Sequence, residues 1–277
     1  MAKHFRVERR HFGTIFDLAD ILTELNDSPY KLVIRGEPMP GLDLKHPVRR
    51  LKYCGDDQAA TFRSSLTGER WICFDFDKVA CPRAIDPKAN PTAALKYLAS
   101  LLPTAFHNTT FWAQWSSSAG FKGWSSLSAH LWFVLDKPIT DDDLWLWGQS
   151  VSAPIDTRLF NAVQPHFTAA PVLGYDVPNP CPVRYQLIKG LNDAASITPA
   201  GTDDGRRTEG LSREVGTNPT GTRDAPRPQR AATGSHRPPM GGGRIYQRAS
   251  RNSGEILSEA QPLLSERLIM QFHQRSN

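Results

Sequence analysis

Apolar positions in the N-terminal part of the chain follow a helical period and a strand period in alternation. In TIFDLADILTELN (14–26), Ile15, Leu18, Leu22 and Leu25 recur as they would along one face of a helix. YKLVIRG (30–36) follows as a strand ending at a glycine, and WICFDFDKV (71–79) predicts a second, buried strand. NPTAALKYLASLL (90–102) carries Asn90 as a cap and Pro91 at the first helical position. TFWAQWSSS (110–118) and SAHLWFVLD (128–136) predict two strands joined by the turn AGFKGWSSL, a hairpin. TDDDLWLWGQSV (140–151) predicts a helix with Thr140 as cap and Asp143 placed almost as in a capping box. RYQLIKG (184–190) closes the series as a strand. Mixed helices and strands with an adjacent strand pair predict an α+β domain with a mainly antiparallel sheet.

Composition changes near residue 200. All seven tryptophans lie between Trp71 and Trp147, whereas Tyr246 and Phe272 are the only aromatics beyond residue 200. Residues 200–253, rich in Gly, Pro, Thr and Arg, have too little apolar surface to offset ordering entropy and predict a disordered linker. Its arginines suit a linker or sequence-independent phosphate contact. Leu264, Leu268 and Phe272 recur at i, i+4, i+8 after Pro262, which predicts a short C-terminal helix within 254–277. The expected organisation is a folded domain over 1–199, the linker, and that helix.

A net charge of +5 is compatible with a polyanionic partner without indicating one. The four cysteines, Cys54, Cys73, Cys81 and Cys181, form no C-x-x-C pair, so no zinc site is expected. The basic start lacks the apolar run of a signal peptide, and no segment has the apolar length to cross a bilayer. A soluble, cytoplasmic protein without membrane partners is the expectation.

Asp75 and Asp77 stand inside the apolar strand 71–79. Residues i and i+2 of a strand share a face, so these carboxylates project together while Phe74 and Phe76 face a core. A divalent cation relieves the repulsion between two such acids; the same pattern suits half-exposed acids paired with lysine or arginine. Ser128 and His130 share one face of the later strand, with Leu127, Ala129, Leu131 and Phe133 on the other. They suit phosphate oxygens, or a structural histidine bonded to its neighbour. Asp156 in APIDTRLFNAVQPHFTAAPV (153–172) suits a third carboxylate or a cap for the turn that follows. His166 is equally ambiguous.

The order of FDFD (74–77), SAHLWF (128–133) and DTRLFNAVQPHFTAAP (156–171) resembles the archaeo-eukaryotic primase superfamily. The likeness is to the bifunctional DNA primase–polymerase domains of plasmids, phages and integrated elements, over about residues 30–195. It implies a primase–polymerase fold, with an N-terminal αβ portion and an RRM-like sheet. It further implies template-directed nucleotidyl transfer with Mg²⁺ or Mn²⁺ held by Asp75, Asp77 and Asp156 in a two-metal site. Ser128 and His130 would then contact the triphosphate of an incoming NTP or dNTP, with single-stranded DNA as template. Because helicase domains often follow such primases and this chain ends before one fits, a separate replicative helicase or a truncated form is expected.

Arg184, at the start of a strand, suits a nucleotide phosphate, the template or an ordinary surface position. Arg35 and Lys122 are similarly open, and Trp145 and Trp147 cannot share one helical face. A metal-dependent nuclease is the rival enzyme class, since clustered acids also serve phosphodiester hydrolysis. A catalytically inactive replication initiator that binds DNA is the rival outside enzymology.

Overall fold

The computed structural model describes residues 4–55, 58–181, 183–198 and, as backbone, 266–272. Among these residues the fold is α+β, with three α-helices and antiparallel sheets. The main sheet has the order β6-β8-β7-β9, formed by β6 (Glu69–Ala80), β8 (Ser126–Ile139), β7 (Phe111–Trp115) and β9 (Tyr185–Ile188). A second sheet, β2-β10-β1-β4, comprises β2 (Lys31–Ile34), β10 (Glu266–Phe272), β1 (His4–Phe12) and β4 (Val48–Arg49). The short strands β3 (Glu37–Pro38) and β5 (Phe62–Arg63) pair separately.

Alternation in the main sheet is what builds two cores. On one face Ile72, Phe74 and Phe76 of β6 meet Leu127, Leu131 and Phe133 of β8. Helices α2 (Pro91–Ser100) and α3 (Asp141–Ser150) cover them through Leu95, Leu98, Leu144 and Trp147. On the other face Trp71, Cys73, Trp112 and Trp132 meet Ile15, Leu18, Leu22 and Leu25 of α1 (Ile15–Asn26). Phe12 and Val33 of the second sheet join that cluster, so α1 lies in a layer shared by both sheets.

The predicted ends are realised by local chemistry. Thr14 and Asp17 close a reciprocal capping box on α1, Asn90 caps α2 with Pro91 behind it, and Thr140 accepts from Asp143 N on α3. The expected hairpin is β7–β8, and its connection holds Gly120 and Gly123 at φ of 80° and 82°. Trp147 is buried and Trp145 exposed, as helical spacing requires.

Two expectations change. Glu266–Phe272 forms a strand rather than a helix, pairing antiparallel with β1 on one side and β2 on the other. A spacing of four residues fits period 2 as well as period 3.6, and two strand edges separated by one strand's width decide between them. The compact unit accordingly joins Met1–Asp204 to Leu263–Asn277. The linker expected over 200–253 lies outside the described residues. Strand β1 itself is absent from the sequence reading, because HFRVERRHF loses its alternation after Val7 and its partner is remote in sequence.

Arg35 is neither a surface group nor a phosphate ligand. It is 1% exposed, bonds Asp141 at 2.7 Å, and donates to the carbonyls of Trp71, Glu69 and Ile139. Burial lowers the pKa of Arg35 and raises that of Asp141, each opposed by the partner's charge. This buried pair fastens the β2 end to the main sheet and to the first turn of α3. No helix among the described residues is long and apolar enough to cross a membrane.

Candidate functional site

Where α1 stops covering the second face of the main sheet, a cavity of about 640 Å³ opens. Asp75, His130 and Gln114 of the main sheet line it, together with Ser116 to Ser118, which form a serine wall, and with Asp156, Arg158 and Phe167. Five of the six residues expected from sequence line this cavity: Asp75, Asp77, Ser128, His130 and Asp156.

The pairing of β6 with β8 brings four of them together. Asp75 on β6 is the register partner of His130 on β8, and Oδ1 lies 3.3 Å from Nε2. A register shift follows between Phe76 and Val79, where Lys78 takes φ 54°, a left-handed conformation uncommon for a residue with a side chain. The Ser128 hydroxyl stabilises that bulge by accepting from Lys78 N at 2.8 Å and donating to Asp77 Oδ1 at 3.1 Å. Asp77 thus projects outward with its side chain 62% exposed, and Lys78 Nζ lies 3.3 Å from its Oδ2.

Asp156 arrives from a distant segment. Its backbone N donates to the Asp75 carbonyl at 3.2 Å, which seats the loop on the free edge of β6. Its side chain caps the 3₁₀ turn Thr157–Phe160 by accepting from Arg158 N at 2.9 Å. Arg158 Nε and Nη2 also bond the carboxylate, the latter at 2.7 Å, and this fork holds the Asp156 pKa below the usual carboxylate value. Both readings of Asp156 from sequence therefore describe the same residue: it caps a turn and it faces the cavity.

Arg184 stands apart from the cavity lining. It is buried, and it donates to the Ser116 carbonyl at 2.8 Å and to Asn179 Oδ1 at 3.2 Å. It supports the serine wall from behind. His166 is also structural here: it packs against Trp71 and Trp132, with ring centroids 5.2 and 5.3 Å away, and its backbone bonds that of Val33. Burial, then the charges of His130 and Arg35, lower its pKa to about 3, so its imidazole is neutral. Cys73, behind Asp75, has its thiol pushed well above the ordinary value by burial first and by the Asp75 charge second. It is inert as a nucleophile.

Sequence reading passes over Arg158, the run Ser116–Ser118 and Phe167. A basic residue two positions after Asp156, in the turn that aspartate caps, is the signal available for the first. Gln114 is buried and held by Asn26 Oδ1 at 2.9 Å and by the Thr168 carbonyl, so it is a fixed floor rather than a reacting group.

The donor set is all oxygen on its acidic side, which suits a hard divalent cation better than a thiolate-seeking one. Yet each carboxylate already has a protein partner, and no group of three or more His, Cys, Asp or Glu among the described residues is gathered closely enough to hold a metal ion. Two of those partners, Lys78 and Arg158, have side chains 80% and 85% exposed. Ion pairs with so exposed a partner contribute little to stability, so exchange of either partner for a cation is inexpensive. No protein-family model matches this chain, and neither a curated protein nor a solved structure is significantly similar to it.

Proposed function

We propose that this chain is a DNA primase–polymerase of the mobile-element type, extending a primer or joining first nucleotides on a single-stranded DNA template. The observation that carries the reading is convergence. Residues from strands β6 and β8 and from the loop at Asp156, far apart in sequence, share one cavity wide enough for a nucleotide. The α+β architecture with a helix-backed antiparallel main sheet is compatible with the primase–polymerase fold that the motif order suggests.

In this reading Asp75, Asp77 and Asp156 hold Mg²⁺ or Mn²⁺, with Lys78 and Arg158 swinging aside. When bound, such cations neutralise charge on the attacking and leaving oxygens of an in-line phosphoryl transfer. His130, fixed by Asp75, and Ser128 face the triphosphate. Phe167, half exposed at the cavity mouth, offers a ring for a base to stack on. Arg184 acts indirectly by steadying the serine wall.

The test is incubation of the full chain with single-stranded DNA and Mg²⁺ or Mn²⁺, separately with NTPs, with dNTPs and with neither. Nucleotide-dependent lengthening that disappears in Asp75→Asn and Asp77→Asn supports the proposal. Shortening without nucleotides identifies a nuclease, and DNA binding with no product identifies a non-catalytic initiator; either result would falsify it.

A further inference from the structure

We infer that Arg158 is the anion-binding residue of the cavity, parked on Asp156 until a polyphosphate takes its guanidinium and releases that carboxylate. The inference rests on the nucleotidyl-transfer reading above and adds a residue and an order of events to it. Among the described residues that line the cavity, Arg158 is the one guanidinium or ammonium side chain. His130, the other basic group there, is engaged by Asp75 at 3.3 Å. A polyanion entering this space therefore meets three carboxylates and, within the lining, one exchangeable cation, while Lys78 sits on Asp77 outside the lining.

The local backbone lets that cation move without disturbing the turn. Asp156 N is anchored on the Asp75 carbonyl, and Asp156 Oδ1 keeps the capping bond from Arg158 N. The guanidinium binds through Nε and Nη2 while its side chain is 85% exposed, so rotating it away leaves the 3₁₀ turn capped. A phosphate offers the same two-oxygen geometry to the fork with more charge. The Asp75 carboxylate, which lines the same cavity, also attracts the guanidinium. Once Arg158 leaves, Asp156 Oδ2 is available in the cavity that Asp75 and Asp77 also line. Anion and cation then favour each other's binding, a coupling that is reciprocal by linkage.

Two binding measurements on the full chain test the exchange without relying on turnover. Mn²⁺ titration followed by electron paramagnetic resonance, with no nucleotide, reads release of Asp156. Arg158→Ala is expected to tighten Mn²⁺ by about two- to fivefold, the scale of a surface ion pair removed, with Arg158→Lys in between. Calorimetry with inorganic triphosphate in EDTA reads release of Arg158. There Asp156→Asn is expected to tighten binding, Arg158→Ala to weaken it about tenfold or more, and Asp156→Asn to give no gain in the Arg158→Ala background. A gain that persists in that double variant reflects simple loss of repulsion and overturns the exchange, as does unchanged Mn²⁺ affinity in Arg158→Ala. Mn²⁺ binding that is absent, or insensitive to Asp75→Asn, overturns both this inference and the nucleotidyl-transfer reading. Sensitivity to Asp75→Asn with no effect at Arg158 overturns the inference alone.

Discussion

Asp75 and His130 are register partners on adjacent antiparallel strands, and their side chains meet at 3.3 Å where the sheet faces the cavity. The pairing fixes an acid and an imidazole relative to each other through backbone hydrogen bonds rather than through flexible loops. Asp75→Asn preserves shape and removes the charge. If the chain is the nucleotidyl transferase proposed above, primer extension is expected to fall by about a hundredfold or more, the scale of a lost transition-state contact. The accompanying loss of stability should stay near about 1 kcal/mol, one partly exposed hydrogen bond. Thermal unfolding by circular dichroism beside the extension assay separates the two effects.

Ser128 acts on Asp77 through the bulge at Lys78. Ser128→Ala is expected to cost about 1 kcal/mol, the value of a lost hydrogen bond, and to let Asp77 drift. On the proposed nucleotidyl-transfer reading, drift of Asp77 would raise the Mn²⁺ concentration needed for half-maximal activity, whereas loss of a triphosphate contact would raise the KM for nucleotide. Steady-state titrations of each decide which role dominates. Lys78→Gly relieves the left-handed backbone and should stabilise the fold by up to about 1 kcal/mol in urea unfolding.

His166 makes stability depend on pH. Its folded pKa of about 3 lies below the ordinary 6.5, so the unfolded chain binds the proton more readily. Its contribution is complete above the unfolded value and declines as pH falls toward 3, at about 1.4 kcal/mol per pH unit. His166→Phe fills the space between Trp71 and Trp132 without titrating. Urea unfolding at several pH values between 4 and 7.5 should show the variant's stability falling less steeply than that of the parent. Parallel slopes would contradict the assignment.

The C-terminal strand should be a structural requirement rather than an appendage. Ending the chain at Pro262 removes β10, which bonds β1 and β2 on its two sides. Two unpaired edges then face each other across a gap. A lower melting temperature, faster proteolysis near β1 and concentration-dependent association are expected, measured by calorimetry, limited digestion and gel filtration. Supplying residues 263–277 as a peptide should restore part of the loss.

Local patterns in the sequence were sufficient wherever one element's face and its ends carry the information. The alternation around Asp75 and Asp77, the stripe of α1, the caps at Thr14, Asn90 and Thr140, and the β7–β8 hairpin all depend on neighbours a few positions away. They place Asp75, Ser128 and His130 on shared faces before any tertiary contact is known. What sequence left open depends on which chain segments meet. Spacing of four residues could not tell strand from helix at Leu268 and Phe272; the paired edges of β1 and β2 did. Nothing local distinguished Arg35 from a surface arginine until Asp141 and three carbonyls enclosed it. The same holds for Asp156, whose neighbour Arg158 is visible in the sequence. Their position over the Asp75 edge is not, because it is set by one backbone hydrogen bond between strands and loop brought together by folding. Period and capping are short-range properties, whereas burial and charge pairing belong to the packed whole.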